Sequence, residues 1–223
     1  MDESLERILI DYDGRRSVFT VGKIGILWEL DRVSGRFVNA HDLGYQTIVD
    51  LDRTTGHVAF RPGLIPEIGK PVDFCPSTAG FKSWRAVGYH PGTEAFYIPL
   101  NLTCETGIFG LVEKREGGGG AGPVRRTNHF HPKSPDHLGE LLAIDLRTGN
   151  VRWRHRVRTP FGTSALTTGG GLVFAGDWDR YFYAYDAETG EILFQTRMPT
   201  STQGFPVTYA VGGKQFVTIP VGQ

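Results

Sequence analysis

Two cysteines, Cys75 and Cys104, are the only thiol-bearing residues of the 223-residue chain. A zinc site built on cysteines usually needs a second Cys or His pair at a matching spacing, and the sequence offers no second cysteine pair. The absence of a Cys-x-x-Cys-His motif excludes a covalently attached haem from this stretch. An even number of cysteines fits an oxidising compartment.

Three histidines, His129, His131 and His137, offer a further chemistry, because imidazole is a common metal ligand. They lie in a Pro-rich stretch that lacks the rigidity a metal site requires, which disfavours a metal centre there. The run Gly117–Gly120 lacks the Lys-Ser/Thr pair of a phosphate-binding loop, so nucleotide and nicotinamide cofactors are disfavoured as well. The sequence contains no Gly-x-Ser-x-Gly motif, so no serine hydrolase is indicated.

The charge and hydropathy of the chain exclude several classes of protein. Lys and Arg number 24, as do Asp and Glu, and this zero net charge argues against nucleic-acid or polybasic membrane-surface binding. No apolar run approaches the roughly 18–20 residues of a membrane span. The first residues show no signal-peptide pattern, so the chain is either cytosolic or a piece of a longer exported protein.

The elements that must position any site are predicted to be short strands. The sequence has 30 Gly, and β-branched and aromatic runs alternate with Gly, Pro, Asp and Asn. This pattern predicts an all-β fold with few helices; the best helical candidate is the short stretch Glu3–Ile10. Residues 113–138 are predicted to form a long loop or insertion, because they combine glycines, prolines and basic residues.

An internal repeat organises these strands. Its pattern is Asp-x-x-Thr/Ser-Gly, followed four residues later by Trp or another large residue. The clearest copies begin at Asp145 and Asp186, which are 41 residues apart, about the size of a four-stranded propeller blade. A weaker copy begins at Asp31, and a fourth at Asp52 is interpreted as a turn within the same unit.

The repeat has a physical interpretation as strand, turn and strand. The Asp carboxylate can accept hydrogen bonds from turn N–H groups, and the Gly supplies the positive φ that the turn needs. The Trp begins the return strand and packs against a neighbouring blade. We count three to four blades, and since closed propellers have about 4–8, the sequence predicts a small ring or a part of a larger one.

Three longer stretches, together with the repeat, make the chain resemble the pyrroloquinoline quinone (PQQ)-dependent alcohol and methanol dehydrogenases. The stretch FCPSTAGFKSW, Phe74–Trp84, is similar to the family's CPSxxGGKNW segment. The stretch PFGTSALTTGGGLVF, Pro160–Phe174, is similar to PxWGGTLxTxGGLVF. The sequences GFPVTY at Gly204–Tyr209 and GKQFV at Gly213–Val217 resemble the closing GxPxTY…GKQYV. The resemblance covers essentially the whole chain and implies the C-terminal portion of an eight-bladed propeller over residues 1–223.

The resemblance also implies roles for individual residues. Lys23 matches a basic residue that points at the quinone oxygens, and Ser83 stands in place of a cofactor-binding Asn. Phe161 and Gly162 replace a Trp-Gly pair at the cofactor edge, where the backbone N–H of Gly162 is expected to serve; the alternative for Phe161 is a strand-end hydrophobe. Trp84 is expected to pack in the core.

Two further roles follow from the same resemblance. Relatives with cysteines at both positions join them, so Cys75 and Cys104 are expected to form a disulfide; two buried thiols are the alternative. Asp2 resembles the last residue of a Trp-Asp-x-Asp motif, in which the first Asp is the catalytic base and the second is a metal ligand. This makes Asp2 a candidate ligand of Ca²⁺ or a lanthanide ion and places the base immediately before Met1; an exposed terminal acid is the alternative.

The implied function is oxidation of a primary alcohol to an aldehyde, with hydride transfer to PQQ and a cytochrome c as electron acceptor. The implied location is the periplasm, with the N-terminal half of the propeller as a structural partner. The alternative is a non-catalytic propeller of the kind that serves as a binding scaffold in outer-membrane assembly.

Overall fold

The computed structural model describes residues 3, 5–112, 117 and 123–222, and this part of the chain contains strands and no helix. Correspondingly, no described element is a helix of the length and hydropathy required to cross a bilayer. The strands are β1 (Ile8–Tyr12), β2 (Arg15–Val21), β3 (Ile26–Asp31), β4 (Phe37–Asp42), β5 (Val49–Leu51), β6 (Val58–Phe60), β7 (Pro71–Phe74), β8 (Gly88–His90), β9 (Ala95–Asn101), β10 (Thr103–Phe109), β11 (Val124–Phe130), β12 (Gly139–Asp145), β13 (Val151–Val157), β14 (Leu166–Thr168), β15 (Leu172–Gly176), β16 (Tyr181–Asp186), β17 (Ile192–Arg197), β18 (Val207–Val211) and β19 (Lys214–Thr218).

The helix predicted for Glu3–Ile10 is wrong, because its second half enters β1. Leu9 is 63% exposed whereas Ile10 is buried, which is the two-residue alternation of a strand with one covered face. Pairing of the whole of β1 with β2 explains this outcome, since tertiary contacts override a weak local helical pattern.

Three four-stranded antiparallel sheets dominate the described residues and confirm the predicted partial propeller. Blade 1 contains β1–β4, blade 2 has the order β8-β9-β12-β13, and blade 3 contains β14–β17. The hairpins β5–β6 and β18–β19 form separate two-stranded sheets. Between its second and third strands, blade 2 is interrupted by β10 and β11, which form a three-stranded sheet with β7.

The stretch predicted as a long loop, residues 113–138, is therefore only partly irregular. Strand β11 pairs with β10 along its whole length, from Val124 opposite Phe109 to Phe130 opposite Thr103. The sequence did not reveal this strand because six of its seven residues are exposed, so the buried–exposed alternation that marks a strand is missing. Residues 113–116 and 118–122, including most of the glycine run, lie outside the described residues.

The core consists of layers between neighbouring blades, and blade 2 is covered on both faces. Phe96 of β9 packs against Phe19 of blade 1, with a ring-centroid separation of 4.9 Å. The next residue, Tyr97, belongs to the layer shared with blade 3. Because alternate side chains of β9 enter different layers, its first six residues are all buried.

The predicted turn of the repeat is confirmed in all four copies. Each first Asp accepts hydrogen bonds from the backbone N–H groups two and three residues later, at N···O distances of 2.7–3.4 Å. The Gly four residues after it has a φ between 68° and 75°. The fourth copy forms the turn of the separate β5–β6 hairpin rather than a turn of blade 1, so its assignment to the same unit is wrong.

The large residue that follows the turn contacts the next blade, as predicted. The indole Nε1 of Trp153 in blade 2 donates a hydrogen bond to the carbonyl oxygen of Ala187 in the turn of blade 3, at 3.0 Å. The indole ring covers Gly190 of the same turn, where an added Cβ would lie 2.6 Å from the ring. The contact thus depends on a residue without a side chain.

We expect Gly190→Ala to destabilise the protein more than Gly35→Ala. Both glycines occupy the same position of the repeat with positive φ, but nothing lies within 4 Å of a Cβ built on Gly35. Each substitution carries a backbone cost of about 1–2 kcal/mol, and at Gly190 displacement of the Trp153 ring adds roughly 1–3 kcal/mol. Urea denaturation of the two variants measures the difference in unfolding free energy; equal losses would contradict the docking interpretation.

The expected disulfide between Cys75 and Cys104 is confirmed, with the two Cα atoms 4.3 Å apart. It joins the residue after β7 to the second residue of β10, and both half-cystines are buried. The imidazole of His131 lies beside the two sulfurs. Since the sulfurs are bonded to each other, this group is not a thiolate metal site.

We expect the double variant Cys75→Ser/Cys104→Ser to unfold more easily by roughly 3–4 kcal/mol, because the bridge closes a loop of about 30 residues in the unfolded chain. Denaturation of the oxidised protein with and without dithiothreitol measures this loss. The variant should show no response to dithiothreitol; a response of the same size as in the unsubstituted protein would contradict the assignment.

Candidate functional site

One segment connects blade 1 to blade 3, and we call residues 80–87 the bridging segment. At its beginning, the backbone N–H of Phe81 donates a hydrogen bond to the carbonyl oxygen of Lys23, at 2.8 Å. Lys23 lies in the β2–β3 connection of blade 1, and its aliphatic stem packs against Gly80. The carbonyl oxygen of Phe81 in turn accepts a hydrogen bond from Asn101 N at 2.7 Å, which fixes the segment to blade 2.

The other end of the bridging segment is attached to the connection that enters blade 3. Ala86 N donates to Ser164 Oγ at 2.6 Å, and Ala165 N donates to the carbonyl oxygen of Ala86 at 3.1 Å. Gly162 stands two residues before Ser164. The segment therefore links Lys23 and Gly162 through Ser83, which is itself partly buried at its centre.

A buried ion pair holds the bridging segment in place. The Lys82 side chain is fully buried, and its ammonium group is bonded to the carboxylate of Glu6. The other oxygen of this carboxylate accepts a hydrogen bond from Val87 N at 2.8 Å. Burial lowers the pKa of Lys82, and the neighbouring Glu6 carboxylate opposes this shift. Sequence reasoning missed this pair, whose members are 76 positions apart.

A cavity of about 210 Å³ opens between the bridging segment and blade 3. Its lining includes Trp84, Arg85, Gly162, Trp178, Gln203, Gly204 and Phe205. The expectation that Trp84 packs in the core is wrong, because its side chain is 83% exposed at this cavity. The backbone of the bridging segment carries the anchoring contacts, so the indole is left on the surface.

Gly162 allows the wall of this cavity to be closely packed. A Cβ at this position would lie 2.7 Å from the Trp178 ring and would also collide with the carbonyl oxygen of Thr202. The predicted use of its backbone N–H as a ligand donor is wrong, since that N–H donates to the carbonyl oxygen of Gly176 at 2.8 Å. The backbone N–H of Gly162 is therefore already occupied within blade 3.

Arg85 is the cationic residue of the cavity lining, and sequence reasoning did not single it out. Its guanidinium carbon lies 5.3 Å from the centroid of the Trp178 ring, within the range of a cation–π interaction. Its Nε is buried and has no hydrogen-bond partner among the described residues. Burial lowers the pKa of this guanidinium, although Arg remains charged at neutral pH.

Two predicted residues remain, Phe161 and Asp2. The Phe161 ring is fully buried in the layer between blades 2 and 3, so the strand-end alternative describes its packing, and the ring has no surface at the cavity. Asp2 lies outside the described residues.

The three histidines that the sequence singled out make separate contacts. His129 Nε2 lies 2.7 Å from Thr106 Oγ1, and His137 Nδ1 lies 2.8 Å from Asp136. His131 Nε2 lies 2.9 Å from the carbonyl oxygen of Tyr45, at the disulfide described above. The described residues thus do not bring the three imidazoles to one metal site.

We expect Glu6→Gln to destabilise the protein by about 3 kcal/mol or more, because it leaves the buried Lys82 ammonium without its counter-charge. Glu67→Gln is the matched control, since Glu67 pairs with Lys70 at 2.5 Å on the exposed surface and its loss should have little effect. Denaturation by urea measures both variants. Equal stability of the two would show that the ion pair does not anchor the bridging segment.

Comparison with known proteins agrees with this architecture. Residues 123–217 match the family model described as the β-propeller domain of PQQ-type glucose, ethanol and alcohol dehydrogenases. The quinoprotein ethanol dehydrogenase of Pseudomonas putida is 31% identical over 97% of this chain and 37% of its own length. Subunit 1 of the methanol dehydrogenase [cytochrome c] of Methylobacterium organophilum is 30% identical over 95% of this chain and 35% of its own length.

The solved structures show the same fold. A europium-containing methanol dehydrogenase superposes with a TM-score of 0.89 over 96% of this chain and 38% of its own, at 24% sequence identity. The quinohemoprotein alcohol dehydrogenase of Comamonas testosteroni gives a TM-score of 0.81 over 97% of this chain and 33% of its own, at 26% identity. The chain spans little more than a third of the length of these relatives. Residues 123–217 thus match a PQQ-type β-propeller domain, and over most of its own length the chain is similar to the quinoprotein alcohol dehydrogenases.

Proposed function

We propose that the protein containing this chain oxidises a primary alcohol to an aldehyde, with PQQ as hydride acceptor and a cytochrome c as the final electron acceptor. The observation that carries the proposal is the bridging segment, which connects Lys23 to the Gly162 cavity through Ser83 in a chain similar to these dehydrogenases. The names of the relatives, quinoprotein ethanol dehydrogenase and methanol dehydrogenase [cytochrome c], support the reaction class and the acceptor.

The residues at the cavity fit a planar, anionic cofactor. PQQ is an aromatic tricarboxylate, and the cavity is lined by the exposed ring of Trp84, the half-exposed ring of Trp178 and the cationic side chain of Arg85. A volume of about 210 Å³ is below the usual range of complete small-molecule sites, so these residues would surround one edge of the cofactor. When bound, PQQ supplies an electrophilic quinone that accepts the hydride of the alcohol.

Three of the residues predicted from the sequence, Lys23, Ser83 and Gly162, have a defined role in this proposal. The Lys23 ammonium stabilises the negative charge that develops on an oxygen of the ligand during the reaction. A fixed cation lowers the energy of the transition state in this way. Ser83 donates one hydrogen bond through its hydroxyl group, where an Asn amide would offer two donors. Gly162 gives the ligand close access to the Trp178 side of the cavity.

The metal ion of the proposal, Ca²⁺ or a lanthanide, rests on Asp2 and on residues outside this chain. Such ions require six or more oxygen ligands, mainly carboxylates. Within the described residues the single group of three metal-ligating side chains is Cys75, Cys104 and His131, which does not fit a hard cation. We therefore derive no step of the reaction through the metal from the residues described.

The proposal also includes partners and a location. The remaining propeller blades would complete the cofactor site, a small alcohol would be the substrate, and the catalytic base would lie outside this chain. The periplasm is the proposed compartment, and the disulfide between Cys75 and Cys104 supports an oxidising environment.

The experiment is a titration of the protein at its natural length with PQQ, in the presence of Ca²⁺ or La³⁺. We expect quenching of tryptophan fluorescence on binding, followed by alcohol oxidation with an artificial electron acceptor. A protein that binds no PQQ with either ion would contradict the proposal and would favour a non-catalytic binding scaffold.

We expect Lys23→Met to lower kcat by about 10²–10³-fold, the usual loss when one charge-stabilising donor is removed. Lys214→Met is the matched control, because Lys214 lies on the exposed strand β19. Steady-state alcohol oxidation compares the two variants at saturating PQQ. An unchanged kcat in Lys23→Met would remove Lys23 from the reaction while leaving PQQ binding to be judged by the fluorescence titration.

A further inference from the structure

The guanidinium of Arg85 is unusual among the arginines of the described residues. Burial of an ionised group is costly unless a counter-charge or hydrogen bonds compensate it. None of the ion pairs or side-chain hydrogen bonds recorded for residues 5–112 and 123–222 involves this guanidinium, and its Nε is buried without a partner. The stacking on Trp178 at 5.3 Å compensates only a part of the cost.

Arg197 of blade 3 shows what a compensated arginine looks like. Its guanidinium carbon lies 5.5 Å from the centroid of the Tyr181 ring, a stacking similar to that of Arg85 on Trp178. Unlike Arg85, it also faces a carboxylate, with its Nη2 3.8 Å from Asp179. The counter-charge is therefore the element that the Arg85 environment lacks.

The space next to Arg85 has the shape and surface for a ligand that brings this counter-charge. Three aromatic side chains around the cavity are accessible, since Trp84 is 83%, Phe205 59% and Trp178 46% exposed. Flat apolar walls of this kind bind an aromatic or aliphatic body, and an arginine fork binds a carboxylate through two parallel hydrogen bonds. The volume of about 210 Å³ suits a small molecule or one edge of a larger one.

We propose that Arg85 is the anion-binding residue of this cavity and receives the carboxylate of an organic acid whose body lies between Trp84, Trp178 and Phe205. The inference deepens the proposed function, because the cavity is the one to which Gly162 belongs, and rests on it for the identity of the ligand. The carboxylate has two possible sources: a carboxylate of the cofactor, or the carboxylate of a substrate that carries both an alcohol and an acid group.

The first arm of the experiment uses benzoate and benzamide as probes and needs no cofactor and no activity. Isothermal titration of the PQQ-free protein at its natural length measures the two dissociation constants. We expect Arg85→Gln to weaken benzoate binding about tenfold or more, since a charge-assisted hydrogen-bonded pair is lost, and to leave benzamide unaffected. Arg85→Lys should retain part of the affinity, because it keeps the charge without the fork.

Arg197→Gln is the matched control and should bind benzoate as the unsubstituted protein does. No benzoate binding, or equal binding in Arg85→Gln, would overturn the proposal. A loss of stability in Arg85→Gln without any change in benzoate affinity would also overturn it, since the partner of Arg85 would then be a carboxylate elsewhere in the protein.

The second arm separates the two sources of the carboxylate and also separates this inference from the proposed function. If PQQ displaces benzoate and Arg85→Gln weakens PQQ binding, the cofactor is the source. If both bind together and Arg85→Gln raises KM for an ω-hydroxy acid but not for the neutral alcohol of equal length, the substrate is the source. A protein that binds benzoate through Arg85 but binds no PQQ would leave this anion site intact and contradict the proposed function alone.

Discussion

The ion pair between Lys82 and Glu6 is the contact on which the candidate site depends most directly. The Glu6 carboxylate binds two groups of the bridging segment, the buried ammonium of Lys82 and the backbone N–H of Val87. It thereby fixes the segment to the residues that precede β1 of blade 1. An exposed pair of the same types would contribute little, because water would solvate both charges. Because the Lys82 side chain is fully buried, removal of the Glu6 carboxylate would leave a charge in the interior without its bonded partner.

The blades supply the rigid frame to which this segment is attached. The apolar faces of the blades are buried against neighbouring blades. In β9, successive side chains alternate between the two core layers on either side of blade 2. The contact between Trp153 and the turn that contains Gly190 aligns blade 2 with blade 3 through both a hydrogen bond and ring packing. The distance from Lys23 to Gly162 is thus set by the stacking of three sheets and not by the loops themselves.

The sequence predicts the local parts of this structure well and the long-range parts incompletely. The Asp-x-x-Thr-Gly turns were predictable because their hydrogen bonds join residues two and three positions apart. The disulfide was predictable through the resemblance to a family. In contrast, two contacts form only because of the path of the bridging segment: the ion pair of Lys82 with Glu6 and the stacking of Arg85 on Trp178. No local sequence pattern predicts either contact. Strand β11 escaped prediction because its surface is polar on both faces.

Misassigned residues of the site have a common physical origin. The resemblance to a family led us to expect Trp84 in the core and a free backbone N–H of Gly162 at the cofactor edge. Backbone hydrogen bonds account for both outcomes, because one occupies Gly162 N and others fix the bridging segment on either side of Trp84, whose ring stays on the surface.

The bridging segment is attached to its surroundings mainly through backbone atoms: Phe81 N and O, Ala86 N and O, and Val87 N. The side chains of Ser83, Trp84 and Arg85 between these attachments carry none of the hydrogen bonds recorded in the described part of the chain. Substitution of Trp84 or Arg85 therefore changes the lining of the cavity while these backbone attachments remain. The chemistry of the cavity lining and the attachment of the segment thus reside largely in different atoms of the same stretch of chain.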